Sequence, residues 1–420
     1  MSSKNRLSLI ILTTLLTIGA SGCGSAEPAP LTFWISQQTP QSVKDGIAAF
    51  GEQGGVEAEI VTIPDPFETN TLTKWTAGER PDVLYWQPAK KFFAQLVPRV
   101  NLQDLSGMDF VKKAKHRLAA ESGAADGRTY IATVGFPSIF GLFYNRNVFA
   151  ENKITPPKSY AELLAASKKL KAAGVTPMSI AGGDAWTMQV PVYELFTDPV
   201  AAGLVEKINT RAASWQDPAV VSALSTFKSY IDSGYANADH KTATYADQQS
   251  ALLEGRAAMV AQASWMLSAL AETAGAAEVD RSIGFVPWPT ASAKVMWQSS
   301  NNASVMLPKT GDPASERAAR DYVTYATTTG YRAYLDVAKE PSVIEGIADP
   351  PGMSALQRTV ADAYAAGSIP SVDMQAAASF GDFPALVGEL VAGRASAADV
   401  ARTMQAEFEK NAKLIGVEGF

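Results

Sequence analysis

The sequence predicts an α/β protein of two lobes, each discontinuous in the chain, joined by a three-segment hinge. Three observations carry this. Residues 31–86 alternate strand, helix and strand patterns, which favours parallel pairing with right-handed crossovers. A strand–proline–strand passage runs from Thr129 through Pro137 to Tyr144, the form a chain takes on leaving one compact unit for another. An extended run over residues 294–307 then has the length to bring it back.

In order, residues 31–36 alternate and read as the first strand. Residues 40–50 place Val43, Ile47 and Phe50 on one helical face. Residues 56–63 form the second strand, stopped by Pro64-Asp65-Pro66, and residues 71–77 a helix with Gly78 as its C-cap. Residues 82–86 are the third strand. Beyond the passage at Pro137, Ser159 and Glu162 have capping-box spacing. Residues 177–180 form a short strand, and a helix is expected over 186–196 and another over 217–234. Residues 257–261 and 283–288 are extended. Helices close the chain at 315–326, 353–365, 383–390 and 397–414. Crossings are expected near 136–139, 294–302 and 338–343. They divide the chain into a first lobe of residues 31–137 and 297–339 and a second of 138–296 and 340–420.

Four stretches share an order and spacing: AGERPDV at 77–83, GRTYIATVGFPSIFGLFYNRNVFAENKITPPKSYAELLAASKKL at 127–170, LLEGRAAMVAQASW at 252–265, and WQSSNNASVMLPKTGDPASERAARDYVTYA at 297–326. Together they resemble the extracellular solute-binding proteins, family 1, the carbohydrate-binding components of ABC importers. The resemblance covers nearly the whole chain after residue 30. It implies a periplasmic-binding-protein fold, type II-like, that closes on a ligand and docks on a permease.

The totals agree with a receptor. The chain has 420 residues, with 47% apolar and 19% charged, enough for two domains. Lys4 and Arg6 precede an apolar run over residues 7–18, a charged region followed by a hydrophobic one, which is the design of a secretory signal. Ala20-Ser21-Gly22-Cys23 is similar to the bacterial lipobox, which implies cleavage of residues 1–22 and lipidation of Cys23. Residues 23–30 then form a tether, and the protein is expected outside the cytoplasm, anchored to the cell membrane. A plain signal peptide with an incidental cysteine is the competing reading. Without residues 1–22 the chain carries 34 basic and 42 acidic side chains. That balance argues against nucleic acid, because phosphate contacts need clustered Lys and Arg. The one cysteine excludes an internal disulfide, and two histidines make a zinc site an unlikely design. No cofactor is expected, and the protein is expected to be a monomer.

Sugars present polar rims and flat apolar faces, so a site for them needs aromatic platforms edged by amides and carboxylates. Trp34, Trp86, Trp186, Trp265 and Trp297 fall at expected strand ends or crossings, where open α/β sheets bind ligands. Core or hinge packing is the competing reading for each. Trp75, Trp215 and Trp288 read as packing. The resemblance adds weight to Trp86, after the Pro-Asp-hydrophobic strand, and to Trp265, after the GRAAM strand. It also nominates Phe380, Asp382 and Phe383, from a tail segment that brings an aromatic into the cleft. Gln37, Gln87, Asp184, Gln189, Asn301 and Asn302 are candidate polar partners, with Asp65, Glu68 and Lys90 in reach. A helix cap is the other reading of Asp184, backbone satisfaction that of Asn301 and Asn302, and a solvated surface pair that of Lys90-Lys91. Pro88-Ala89-Lys90 stands where the family's maltose binders often carry an acid, which weighs against a maltodextrin.

The expected function is therefore capture of a carbohydrate between lobes for delivery to an ABC permease, without covalent chemistry. A receptor for a phosphorylated or other non-sugar solute is the first alternative and predicts an arginine-rich cleft. A glycoside-active enzyme is the second and predicts two carboxylates flanking the bond. A receptor feeding a membrane sensor is the third.

Overall fold

The computed structural model describes residues 29–119, 124–125 and 127–420; the expected signal and lipidation segment, including Cys23, lies outside them. In chain order the strands are β1 (Leu31–Ser36), β2 (Ala58–Ile63), β3 (Val83–Tyr85), β4 (Ala124–Ala125), β5 (Arg128–Thr129), β6 (Ile131–Thr133), β7 (Ser138–Asn145), β8 (Thr176–Met178), β9 (Ala257–Ala263), β10 (Ile283–Val286), β11 (Val295–Gln298), β12 (Ser304–Met306) and β13 (Ser368–Pro370). They form one sheet of order β2-β1-β3-β12-β6 and a second of order β13-β11-β7-β9-β8, with β10 paired to β7. β1 is parallel to both β2 and β3, as the alternating rhythm requires. The late strand β12 inserts antiparallel between β3 and β6, so the first sheet needs both early and late chain.

The two-residue period of a strand sorts side chains to opposite faces. Phe33 and Ile35 of β1, Val83 and Tyr85 of β3 and Val305 of β12 join one core with helices Gln41–Gly54 and Pro313–Ala326. Trp34, Leu84, Trp86 and Met306 join the other, against Phe67 and Trp75 of helix Phe67–Thr76. In the second sheet Ile139, Phe143, Val260 and Trp297 point to one core, and Phe140, Leu142, Met259 and Met296 to its opposite.

The expected long strand over 294–307 is broken. β11 pairs with β7 in the second sheet, β12 belongs to the first, and the polar run Ser299-Ser300-Asn301-Asn302 bends between them. The Ser299 and Ser304 hydroxyls lie 2.9 Å apart and satisfy each other inside this bend. The expected helix over 186–196 is likewise split into a 3₁₀ turn, Ala185–Gln189, and helix Val190–Leu195. Pro191 sits in the first turn of the second piece, where its missing N–H costs nothing. At helix Tyr160–Ala172 the Ser159 hydroxyl accepts from the Glu162 N–H, but Glu162 reaches back to the Lys158 N–H rather than to that of Ser159.

Two passages between the sheets are tied by a carboxylate. Glu340, after helix Thr329–Ala338, accepts from the Phe136 N–H at 3.2 Å and from the Tyr334 hydroxyl at 2.9 Å. Burial raises its pKa above the ordinary glutamate value.

Candidate functional site

Parallel strands β8 and β9 end on the same side of the second sheet, and the chain beyond each end carries a tryptophan. After β8, residues 181–184 turn tightly. The Gly182 N–H donates to the His240 carbonyl and the Gly183 N–H to that of Ala243. A Cβ at Gly183 would meet the Thr242 carbonyl oxygen at 2.4 Å, so only glycine permits this approach. The turn delivers Trp186, which is 38% exposed. After β9 comes Trp265. Between them stands Tyr245, the first residue of helix Tyr245–Leu253.

These rings meet edge to face. Trp186 lies 4.9 Å from Tyr245 and 5.9 Å from Trp265, and Phe140 of β7 lies 5.3 Å from Trp265, all between ring centroids. They wall a cleft of about 400 Å³ completed by Gln189, Val190, Tyr193, Ala269, Gln298 and Asp373. Two larger grooves lie elsewhere, about 680 Å³ beside Arg320 and Arg332 and about 790 Å³ beside Pro156 and Pro289. Size does not decide between them. Apolar walls with a few converging polar groups mark a small-molecule site, and only the 400 Å³ cleft among these three sets several partly exposed rings beside glutamine amides.

Its electrostatics are simple. Asp373 is the one charged side chain in the lining. It accepts from the Tyr193 hydroxyl at 2.9 Å and pairs with Lys91 of the short helix Lys90–Phe93 at 2.9 Å. Burial, and then the neighbouring Asp373 charge, push the Tyr193 pKa well above the ordinary tyrosine value, so its hydroxyl stays a donor. Burial pushes the Tyr245 hydroxyl up to about 12. A second ion pair from the same helix, Lys90 with Glu206 at 3.2 Å, is largely solvent-exposed and adds little.

The structure brings Trp186, Gln189 and Trp265 together in the cleft and disperses the other expected residues. Trp86 and Trp297 are fully buried and Trp34 nearly so. Trp86 packs on Phe67 and Phe92, Trp297 on Tyr364, and Trp34 faces the helix that covers the first sheet. Trp86 does follow the end of β3, whereas Trp34 and Trp297 lie within β1 and β11, and all three indoles point into the core. Trp75, Trp215 and Trp288 are buried packing residues, as the sequence suggested. Asp184 neither lines the cleft nor caps its own turn; its carboxylate accepts from the Tyr245 N–H at 2.6 Å. Asp382 caps helix Phe383–Val391 through the Ala385 N–H, while Phe383 stacks on Tyr193 inside the core at 5.3 Å. Phe380 packs on Trp215.

Beside the first sheet, Gln37 donates to Asp65 at 2.6 Å and Gln87 to Glu68 at 2.8 Å, both outside the cleft lining. Asn302 accepts from Thr39 in the bend between the sheets, where Asn301 also lies. Tyr193, Tyr245, Gln298 and Asp373 line the cleft without having been singled out in the sequence. The tail segment that suggested Asp382 contains Asp373 nine positions earlier, and nothing local distinguishes the two, since both lie at helix starts.

Comparisons with known proteins bear on the family and the fold. A family model described as bacterial extracellular solute-binding protein matches residues 46–357. An uncharacterised ABC transporter extracellular-binding protein of Pyrococcus horikoshii is 25% identical over 298 residues, 63% of this chain and 65% of its own length. The chain thus spans just under two thirds of that relative. The multiple sugar-binding protein of Streptococcus mutans is 20% identical over 302 residues, 70% of each chain. Among solved structures, a chitin oligosaccharide binding protein superposes with a TM-score of 0.76 at 19% identity, covering 92% of this chain and 99% of the other. At that identity the likeness concerns the fold.

Proposed function

The chain belongs to the bacterial extracellular solute-binding proteins, and from that premise we propose that it captures a neutral carbohydrate in the aromatic cleft and delivers it to an ABC permease. The observation that carries the ligand class is the set of converging rings, Trp186, Tyr245 and Trp265, edged by Gln189, Gln298 and Asp373. Rings take the apolar faces of a sugar, and amides and the carboxylate take its hydroxyls. The lining contains no arginine, and its one carboxylate is already paired with Lys91. That disfavours a phosphorylated solute, which would seek bidentate Arg contacts.

The division into lobes of residues 31–137 with 297–339 and 138–296 with 340–420 belongs to the same reading. Lys91 and Asp373 come from different lobes in it, so their pair forms only when the lobes approach. Ligand then shifts an open–closed balance by hinge motion. The chain does no covalent chemistry and acts as a monomer.

A thermal-shift screen of the protein from Gly24 onward, against neutral sugars, sugar acids and phosphate esters, tests the ligand class. A ligand at about 100 times its Kd stabilises the native state by about 2.7 kcal/mol. Shifts confined to phosphate esters or sugar acids would overturn the neutral-sugar reading.

We place the protein at the outer side of the cell membrane, anchored by lipid on Cys23, on the strength of the lipobox-like Ala20-Ser21-Gly22-Cys23. Labelled palmitate is expected to enter the wild-type protein and not Cys23→Ala. Equal labelling of both would remove the anchor from the proposal.

A further inference from the structure

We infer that Gln262 and Gln248, neither of which lines the cleft, are positioning residues that hold its three rings, Trp186, Tyr245 and Trp265, as one platform. The inference deepens the carbohydrate reading and rests on it.

Gln262 is fully buried on β9 and Gln248 nearly so on helix Tyr245–Leu253. An indole N–H can only donate, and that of Trp265 donates to the Gln262 Oε1 at 3.1 Å. With its oxygen so committed, Gln262 turns its Nε2 to the Gln248 Oε1 at 3.0 Å. Gln248 then turns its own Nε2 to the Ser179 carbonyl at 2.8 Å. The polarity runs one way from indole to backbone, so the orientation of each amide follows from its neighbour.

The relay joins the three segments that carry the rings. Trp265 follows β9. Gln248 sits one turn beyond Tyr245 on the same helix, where side chains three apart share a face. Ser179 opens the segment that runs through Asp184 to Trp186. Asp184 adds a second tie, from that segment to the Tyr245 N–H. Buried amides in a low dielectric are costly to leave unpaired. Rotating the Trp265 indole therefore orphans its N–H and leaves the Gln262 oxygen only the neighbouring Ala263 N–H at 3.3 Å, and the disturbance passes to Gln248. A ring fixed in this way binds a flat sugar face without first losing rotamer freedom.

The test uses the purified full chain and two readouts. Hydrogen exchange of the Trp265 indole proton is followed by nitrogen-15 NMR, with the buried indole of Trp215 as control. Affinity for raffinose and chitotriose is measured in a double-mutant cycle of Gln262→Leu with Trp265→Phe, which keeps a ring but removes the N–H. Positioning predicts indole exchange at least about tenfold faster at Trp265 in Gln262→Leu and in Gln248→Leu, with Trp215 unchanged. It also predicts about a tenfold affinity loss from Gln262→Leu in the wild-type background, and under about twofold once Trp265 is Phe.

Equal losses in both backgrounds would make Gln262 a packing residue and overturn the inference. So would a Trp265 indole proton indifferent to Gln248→Leu, the variant to rely on if Gln262→Leu does not fold. If neither sugar binds the wild-type protein, it is the choice of ligand that fails, and the exchange readout alone decides the relay.

Discussion

Trp186→Ala is expected to weaken neutral-sugar binding about 30-fold, the loss typical of a tryptophan hot spot worth about 2 kcal/mol. The ring is 38% exposed, stands over the cleft and touches only Tyr245 and Trp265 among the neighbouring aromatics. Its truncation removes a binding face without opening the core, so the melting temperature should barely move. Trp86→Ala is the informative contrast. That indole is fully buried between Phe67 and Phe92, and its loss should cost about 3–5 kcal/mol of stability. Calorimetric titration with denaturant melts separates the two. Strong binding by a folded Trp186→Ala protein would move the site away from this cleft.

Glu194→Gln is expected to stabilise the protein above pH 5, increasingly so as pH rises. Glu194 is fully buried on helix Val190–Leu195, and neither carboxyl oxygen has a hydrogen-bond partner among the described residues. Desolvation alone raises its pKa well above the ordinary value. The folded state therefore holds the proton while the unfolded chain releases it. At pH below the unfolded value both states are protonated and the group is neutral in the balance. Above that value stability falls by about 1.4 kcal/mol per pH unit until the folded pKa is reached.

Glu340 shifts in the same direction through burial, so the wild-type profile contains both groups and the difference from Glu194→Gln isolates one. Asp104, Asp198 and Asp312, all lowered by hydrogen bonds from nearby hydroxyls and amides, act in the opposite window and lose their contribution only in acid. Denaturant melts at pH 5 and pH 8 provide the check. A variant that tracks the wild type at both values would mean Glu194 is ionised in the native state.

The difference between the cleft and the core rests on a property no single stretch displays. Trp186 and Trp86 both come after short strands, and each has a glutamine within three positions. Trp86 continues β3 in register, its N–H donating to the Ser304 carbonyl of β12, and the pleat sends its indole under helix Phe67–Thr76. Trp186 follows a glycine turn that has already left the sheet. The same holds for Asp373 and Asp382, two acids at helix starts, of which one meets Tyr193 and Lys91 and the other the Ala385 N–H of its own helix.

By itself the sequence determined the α/β class, the alternating early strands, most of the longer helices and the ordered motifs of the family, because hydrophobic period, turn residues and caps are local and written in consecutive positions. It also named Trp186, Gln189 and Trp265. Only the tertiary structure decided the rest: which tryptophans face the cleft, how the run over 294–307 divides between two sheets, that Asp373 meets Lys91, and that Gln248 reaches Gln262. Those outcomes depend on which face a pleat presents and on contacts between residues up to 282 apart, and neither quantity has a signature within any one segment.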